Sequence, residues 1–364
     1  MPRETLHDRQ RLILKEIVDR YIRLREPVSS RMILEDYGLD VSSATVRNDM
    51  YDLEIRGYIA KPYSSSGRIP THKGYRFFVD WLIDLSEIAR DDRHEIVEAY
   101  GARCLDIEET IRRTAFVLGN LTGCAGFVVP PRLREARLDR VVLLKVEPRV
   151  LFLAVMSDIG IVRHGFVPLE EDLTEAELRS IMEAINSGLR GATLEEVRRL
   201  SQDEGPEGWY ERSARHAFVV LGGLLEQALR GQAHVEGLLN LTDDLQRMMP
   251  QHAMRRFTQL SRSVQDDAGF VEALRASRGN RKGLVVGIGN LGLPGFEDFS
   301  VVSCSFEPHG GILGVIAPVW MNYGKAMSTT SYMANRLETL LVTSCTRPAE
   351  DGNAEPSSES RSGM

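Results

Sequence analysis

The sequence predicts a multidomain α+β protein whose N-terminal part is a winged helix-turn-helix. Helical patterns and one short hairpin pattern fill the first 85 residues. Strand patterns occupy two separate stretches, residues 123–169 and 283–319, with about 100 mainly helical residues between them. The chain has 364 residues, which is more than one domain usually holds. The simplest arrangement is one α+β domain with a second domain inserted in it.

Two helices are predicted before residue 38. Residues 5–25 form the first, because apolar residues recur there at helical spacing with charged residues between them. Pro27 marks its end. The second begins at Ser29 or Ser30, either of which can cap it, and Gly38 ends it.

A third helix begins after Ser42, which caps it, and ends at Gly57. Its inward face carries Val46, Met50 and Leu53, at positions i, i+4 and i+7. The residues on the opposite face are therefore expected to be exposed.

A hairpin and a fourth helix follow. The short extended pieces YIAKPY and GRIP are joined by small turn residues, which predicts a hairpin. The fourth helix covers residues 71–85, with Tyr75 and Phe78 on the face expected to pack on the hairpin and the third helix. Phe77 and Trp81 lie outside that stripe. They pack either in the core or at a contact with another domain or a second copy of the chain. Three helices and a hairpin form the order of a winged helix-turn-helix, in which the hairpin is the wing.

Charge is uneven along the chain. Residues 42–76 hold six Lys/Arg and three Asp/Glu, whereas the whole chain carries −7. Residues 1–80 hold 14 basic and 12 acidic residues, so their net charge is +2 and the remainder carries −9. A slightly basic N-terminal region attached to an acidic remainder is compatible with binding to a polyanion.

The third helix has the residue types that read DNA bases in a major groove. Asn48 can bond an adenine edge, and Arg47 can bond a guanine or a phosphate. In the wing, Arg68 is expected at the tip, contacting a phosphate or the minor groove. The serines at the helix N-terminus suit a phosphate. The predicted DNA-binding residues are Ser42, Ser43, Ala44, Thr45, Arg47, Asn48, Tyr51, Lys61, Arg68 and Lys73.

Other interpretations of the same residues, without DNA binding, remain as alternatives. A helix-turn-helix also serves for protein contacts, and a pure interaction scaffold would show no salt-sensitive DNA binding. Ser42 and Ser43 are also ordinary helix caps, and Tyr51 can simply pack.

Composition argues against membrane, secreted and metal-binding classes. Apolar runs stay shorter than about 18 residues, so no membrane span is expected. The first residues are charged and carry no secretory signal, which predicts a cytoplasmic protein. The four cysteines form no CxxC pair and no metal-ligand spacing, so scattered reduced thiols and no metal are expected.

Two patterns that suggest an enzyme have simpler explanations. Residues 287–292, GIGNLG, satisfy G-x-G-x-x-G, but a proline and a glycine follow where a dinucleotide site needs a helix. A strand-ending loop is favoured there. Ser303 and Cys304 lie near His309, but in a strand pattern where packing explains them. We therefore expect neither catalysis nor a cofactor.

One long run carries a family resemblance. SSATVRNDMYDLEIRGYIAKPYSSSGRIPTHKGYRFFVDWL closely resembles the signature of the HrcA family, the bacterial heat-inducible transcription repressors. FEDFSVVSCSF fits the family pattern, as does GILGVIAPVWMNYGKAMSTTSYMANRL, with Met321 and Tyr323 at its helix start. The chain departs from the pattern in two places: the loop 287–290 has no acidic residue, and Ser66 replaces alanine. The matching residues of the first run are Ser42, Ser43, Ala44, Thr45, Arg47, Asn48, Asp49, Gly57, Gly67, Arg68, Ile69, Pro70, Thr71, Lys73, Gly74, Tyr75 and Arg76.

The resemblance implies a domain organisation. A winged-helix DNA-binding domain with its following helix would cover residues 1–85. A GAF-like α/β domain would combine residues 86–171 and 279–345, interrupted by an inserted, mainly helical dimerisation domain over 172–278. Residues 346–364 have no apolar pattern and are expected to be disordered.

The resemblance also implies a function and partners. The protein would repress chaperone operons of the groEL/dnaK type by binding an inverted-repeat operator in double-stranded DNA as a homodimer. Heat stress would release it, and the GroEL chaperonin would maintain its activity. An inverted repeat agrees with a two-fold dimer, because each half-site meets an identical helix. The alternative is a winged-helix repressor controlled by a small ligand in the GAF-like domain.

Overall fold

The computed structural model describes most of the chain outside the C-terminal tail. The tip of the hairpin, residues 63–66, and the tail, residues 346–364, lie outside the described residues, so the expectation of a disordered tail stays untested. The mixture of helices and sheets confirms the α+β class. The described residues are 6–37, 42–62, 67–82, 90–99, 107–158, 160–169, 172–202, 218, 220–226, 232–265, 267–277, 283–307 and 310–345.

Three helices open the structure where the sequence predicts them. They are α1 (Asp8–Leu24), α2 (Ser30–Tyr37) and α3 (Ser43–Ile55). Both α1 and α2 pack against α3. The chain leaves α1 through Arg25, whose backbone is left-handed and whose N–H donates to the Tyr21 carbonyl.

The hairpin consists of β1 (Ile59–Ala60) and β2 (Ile69–Pro70), which are antiparallel. Helix α4 (His72–Phe77) follows, and the chain continues as a π-helical turn, Phe78–Leu82. The Thr71 side chain caps α4 by accepting from the N–H of Gly74.

The aromatic residues of α4 pack differently from the prediction. The Phe77 ring meets the Tyr58 ring of the hairpin edge-on, at 5.4 Å between centroids. Tyr75 is buried and instead lies 5.9 Å from the ring of Tyr323, in the C-terminal part of the chain. The reason is that Gly74 sits directly on the Tyr58 carbonyl. Phe77, three residues further on, shares that helix face, and Tyr75 does not.

The main sheet has five antiparallel strands in the order β7-β3-β10-β9-β8. Helices α6 and α12 cover one face, with α5 packed against α6. On the opposite face, Phe270 packs edge-on against Phe127 and stacks on Phe296. The elements are α5 (Arg90–Ala99), α6 (Ile107–Thr122), β3 (Ala125–Val129), β7 (His234–Glu236), α9 (Thr242–Met248), α10 (Ala253–Gln265), α11 (Asp267–Ala276), β8 (Leu284–Ile288), β9 (Phe299–Phe306), β10 (Gly311–Pro318) and α12 (Tyr323–Cys345).

A second sheet contains three antiparallel strands in sequence order: β4 (Leu138–Glu147), β5 (Val150–Ser157) and β6 (Gly160–Pro168). Helix α7 (Glu175–Leu189) packs on β4, where the Asn186 amide bonds both backbone groups of Val141. Helix α8 (Leu194–Gln202) follows.

Two features of the sheets concern the predicted insert, residues 172–278, whose limits stay a prediction. Among the described residues, strands β4–β6 pair with one another and not with the main sheet. At the other end, β7 pairs with β3 of the main sheet, and Phe270 of α11 packs against Phe127 of that sheet, although both elements lie within residues 172–278. A run of apolar residues predicts a strand but not its pairing partner. Because β7 has only three residues, the sequence does not predict even the strand.

Three contacts join the N-terminal helices to the main sheet. Besides the Tyr75–Tyr323 pair, Arg25 lies 3.4 Å from Asp244 of α9. The His72 ring sits against Gly289, in the loop that follows β8. Among the described helices, none is long and apolar enough to cross a bilayer.

Candidate nucleic-acid interface

Helix α3 is fixed from its inner side. Val46 and Leu53 are fully buried and Met50 nearly so, as predicted. Ser42 is the N-cap: its hydroxyl accepts from the N–H of Thr45 at 3.2 Å and lies 2.9 Å from the Thr45 hydroxyl. This cap holds the first turn in a helical conformation while leaving the serine itself exposed.

An ion pair between the buried Asp49 and the more exposed Arg9 anchors α3 to the start of α1. Asp49 is 4% exposed, and its carboxylate pairs with the Arg9 guanidinium and lies 3.3 Å from Nε2 of His7. The hydrogen bond that Arg9 donates to the Asp49 carboxylate raises the pKa of Arg9. This role of Asp49 was not predicted from the sequence. A signal was present, because Asp49 belongs to the family-like run and lies three residues after the inward-facing Val46, on the buried side of the helix.

The outer side of α3 is open to solvent. Ala44, Arg47 and Asn48 are exposed, and Tyr51 and Ile55 are 59% and 69% exposed. The Arg47 guanidinium makes only a long contact, 3.5 Å, with the Ser30 hydroxyl of α2. Ser43 and Thr45 are half-buried at the edges of this face. We call Ala44, Arg47, Asn48 and Tyr51 the outer face of α3.

The side chain of Arg68 turns toward α3, while its contact with DNA stays a prediction. Its backbone forms a two-way bridge with Val28, next to β2 and on the side of the hairpin turn. Its guanidinium binds Oε2 of Glu54 on α3 at 2.8 and 2.9 Å, and only 18% of its side chain is exposed. Arg68 therefore ties the hairpin to α3.

Lys61 and Lys73, the two lysines predicted to contact DNA from the wing, differ in their surroundings. The Lys73 ammonium donates to the Arg56 carbonyl at 2.9 Å and lies 4.5 Å from the centre of the Tyr58 ring. It therefore closes the C-terminal end of α3. Lys61 is exposed just after β1. The structure thus gathers the predicted residues of α3 on one surface, sets Lys61 beside the hairpin, and uses Arg68 and Lys73 within the fold.

One of the two patterns that suggested an enzyme, residues 287–292, lies wholly within the described residues. Strand β8 ends at Ile288, and residues 289–298, all described, contain no helix, so the predicted loop is confirmed. Ser303 and Cys304 are buried in β9, and His309 lies outside the described residues. Within the part of the chain that the structure describes, no group of three His, Cys, Asp or Glu residues is placed to hold a metal ion.

The structure defines an α+β protein in which a helical unit with a hairpin precedes two sheets. Residues 108–327 match the family model described as "HrcA protein C terminal domain". That range covers more than half of the chain, which therefore belongs to the HrcA family.

Individual relatives agree with this assignment. The "Heat-inducible transcription repressor HrcA" of Pelotomaculum thermopropionicum is 31% identical over 347 residues, 92% of this chain and 97% of that protein. The protein of the same name from Desulfitobacterium hafniense is 31% identical over 343 residues, 93% of this chain and 98% of that one. A crystal structure described as "a hypothetical protein at 2.2 A resolution" superposes with a TM-score of 0.70 at 26% identity, covering 93% of this chain and 100% of that chain.

Proposed function

We propose that this protein is a heat-inducible transcription repressor that binds double-stranded DNA through the outer face of α3. One observation carries the proposal. The helix is capped and anchored from behind, yet its outer face presents an amide, a guanidinium and a tyrosine ring to solvent. Such groups on a rigid helix are what base recognition in a major groove requires. The repressor names of the relatives support the same function.

Residues 1–85 act as a winged-helix domain in this proposal. Asn48 and Arg47 contact base edges, while Ala44 and the Thr45 methyl group meet thymine methyl groups. Ser42 and Ser43 place the helix N-terminus at a phosphate. Lys61 contacts the backbone from the wing. Arg68 and Lys73 hold the wing in place and affect DNA binding mainly through its position.

A homodimer on an inverted repeat completes the proposal. The second sheet supports a dimer contact, because its face opposite α7 exposes apolar side chains: Leu144 is 54% exposed and Phe166 is 67% exposed. The pairing of Leu144 with Phe152, and of Phe152 with Phe166, places these rows on one face. Burying such a patch against its copy is favourable.

The remaining parts of the proposal rest on family membership. The operator lies before chaperone operons of the groEL/dnaK type, in the cytoplasm. Heat stress releases the repressor, and the GroEL chaperonin maintains its active form. The main sheet with its helices is the GAF-like domain.

Fluorescence anisotropy with a labelled inverted-repeat duplex from a chaperonin promoter tests the proposal. We expect tight, salt-dependent binding that exceeds binding to a scrambled duplex. Arg47→Ala and Asn48→Ala should each cost about 1–3 kcal/mol on the specific duplex and less on the scrambled one. The matched controls are Arg113→Ala and Asn120→Ala, at exposed positions of α6.

The same titrations contain the contradicting result. Equal losses on both duplexes would mean that Arg47 and Asn48 contact only the backbone. Binding that is indifferent to sequence in the unaltered protein would remove the operator-binding function. Adding GroEL to the titration tests the chaperonin separately, since it should raise the fraction of protein that binds.

A further inference from the structure

A polar cavity lies at one end of the main sheet, and none of its lining residues belongs to α3. Its volume is about 240 Å³. The floor is formed by Val285, Ser303, Ser305 and Ile312. Val285 pairs with Ser303 and Ile312 pairs with Ser305, so these four side chains stand on one face of the sheet.

The same face of the sheet is packed and apolar further along, where Phe270 contacts Phe127 and Phe296. Helix α11 supplies the apolar contact through Phe270 and the buried Leu274, whereas Arg275 in its last turn and Ser277 just after it are polar and line the cavity. The cavity is therefore the polar end of an otherwise apolar contact between a helix and a sheet.

Two arginines form the rim of the cavity. Arg275 comes from the last turn of α11, and Arg132 comes from the segment after β3. Both are exposed. Their guanidinium groups are near enough to repel each other: partial burial, and after it the charge of Arg132, lower the pKa of Arg275.

Little negative charge compensates this rim. Glu135 lies 3.5 Å from Arg132, but both side chains of that pair are more than half exposed, so it is weak. No carboxylate of the described residues lies within ion-pairing distance of Arg275. The Ser277 hydroxyl already donates to the Ala273 carbonyl, which leaves Ser303 and Ser305 as the hydroxyl donors that face the cavity.

We propose that this cavity binds a small oxyanion, with the guanidinium groups of Arg132 and Arg275 on its charged oxygens and the hydroxyls of Ser303 and Ser305 beneath it. Guanidinium groups match the planar, bidentate geometry of carboxylate and phosphate. The volume holds on the order of eight water-sized groups, which is the size of a four-carbon dicarboxylate. Nothing in this site involves α3, so it stands independently of the DNA-binding proposal.

Isothermal titration calorimetry on the full chain tests the site without DNA. Succinate and inorganic phosphate are the two probes, each titrated at constant ionic strength set with NaCl. We expect one of them to bind at one site per chain, and the preferred probe identifies the class of oxyanion. Arg275→Gln should weaken that binding about tenfold or more, because a charge-assisted hydrogen bond is lost.

Three further variants separate the site from general charge effects. Glu135→Gln removes the competing carboxylate and should tighten binding. Ser305→Leu keeps every charge but fills the floor at an exposed position, and should abolish binding. Arg247→Gln, at an exposed position of α9 outside the cavity, should leave binding unchanged.

Several results would overturn the proposal. One is the absence of binding by both probes at millimolar concentration. Another is unchanged binding in Arg275→Gln or in Ser305→Leu, with circular dichroism showing that the variants are folded. A loss in Arg247→Gln equal to that in Arg275→Gln would reduce the effect to net charge.

Discussion

Substituting Gly74 by alanine should detach α4 from the hairpin. A Cβ atom at this position would lie 2.2 Å from the carbonyl oxygen of Tyr58 and 3.2 Å from its carbonyl carbon. Carbon–oxygen contacts normally need about 3.3 Å, so the helix must move by roughly 1 Å. The same carbonyl accepts from the backbone N–H and the hydroxyl of Thr71, each at 3.1 Å, so the movement also weakens the cap of α4.

The expected cost follows from these contacts. Overpacking costs up to about 3 kcal/mol, and a weakened cap costs about 1 kcal/mol. The higher helix propensity of alanine offsets about 1 kcal/mol of this loss of stability. The net loss is therefore about 3 kcal/mol. Gly57→Ala is the control, because its Cβ would meet nothing within 4 Å while its φ of +74° is unfavourable for alanine. It should cost only about 1 kcal/mol.

Native-state hydrogen exchange measures this loss locally. In Gly74→Ala, the protected amides of residues 42–82 should exchange about a hundredfold faster, the equivalent of about 3 kcal/mol. In Gly57→Ala the increase should be about fivefold. Peptides from β9 should be unchanged in both. An effect of Gly74→Ala no larger than that of Gly57→Ala would refute the close approach of α4 to the hairpin.

Three other predictions concern the pairs and burial that hold the fold. Phe270→Ala should destabilise the protein by about 3–5 kcal/mol in urea denaturation, and a loss below 1 kcal/mol would contradict the aromatic packing on the main sheet. Arg68→Ala should lower the stability of the N-terminal helices by about 1 kcal/mol and leave the salt slope of DNA binding unchanged; a slope lower by one unit would instead mean that Arg68 contacts a phosphate. Burial raises the pKa of the Cys124 thiol from 9.0 to about 11, so the folded protein holds this proton more tightly than the unfolded chain does. The resulting stabilisation is complete below pH 9 and is lost as the pH rises toward 11, and rapid alkylation of Cys124 in the folded protein at pH 8 would contradict it.

The local features of the N-terminal helices could be predicted because they repeat at short range. The Ser42 cap, the buried stripe from Val46 to Leu53 and the exposed opposite face all follow from spacings of three and four residues. The order of helices and hairpin follows from turn residues in the same way.

The features that sequence reasoning missed depend on contacts between distant residues. The sequence alone does not show that Arg68 binds Glu54, which lies fourteen positions earlier in the chain. The pairing of β7 with the main sheet is another such contact, and a strand of three residues gives almost no signal in the sequence. The exchange of roles between Tyr75 and Phe77 follows from where Gly74 touches the hairpin, which no helical periodicity contains.

Photo-cross-linking tests most directly whether the outer face of α3 lies against DNA. Benzoyl-phenylalanine is introduced at Tyr51 in one protein and, as the control, at Phe116 of α6 in another; the two native side chains are 59% and 53% exposed. Irradiation with the inverted-repeat duplex should join the protein to DNA from position 51 and not from position 116. Cross-linking from 116 alone, or from neither position while the duplex remains bound, would contradict recognition through α3.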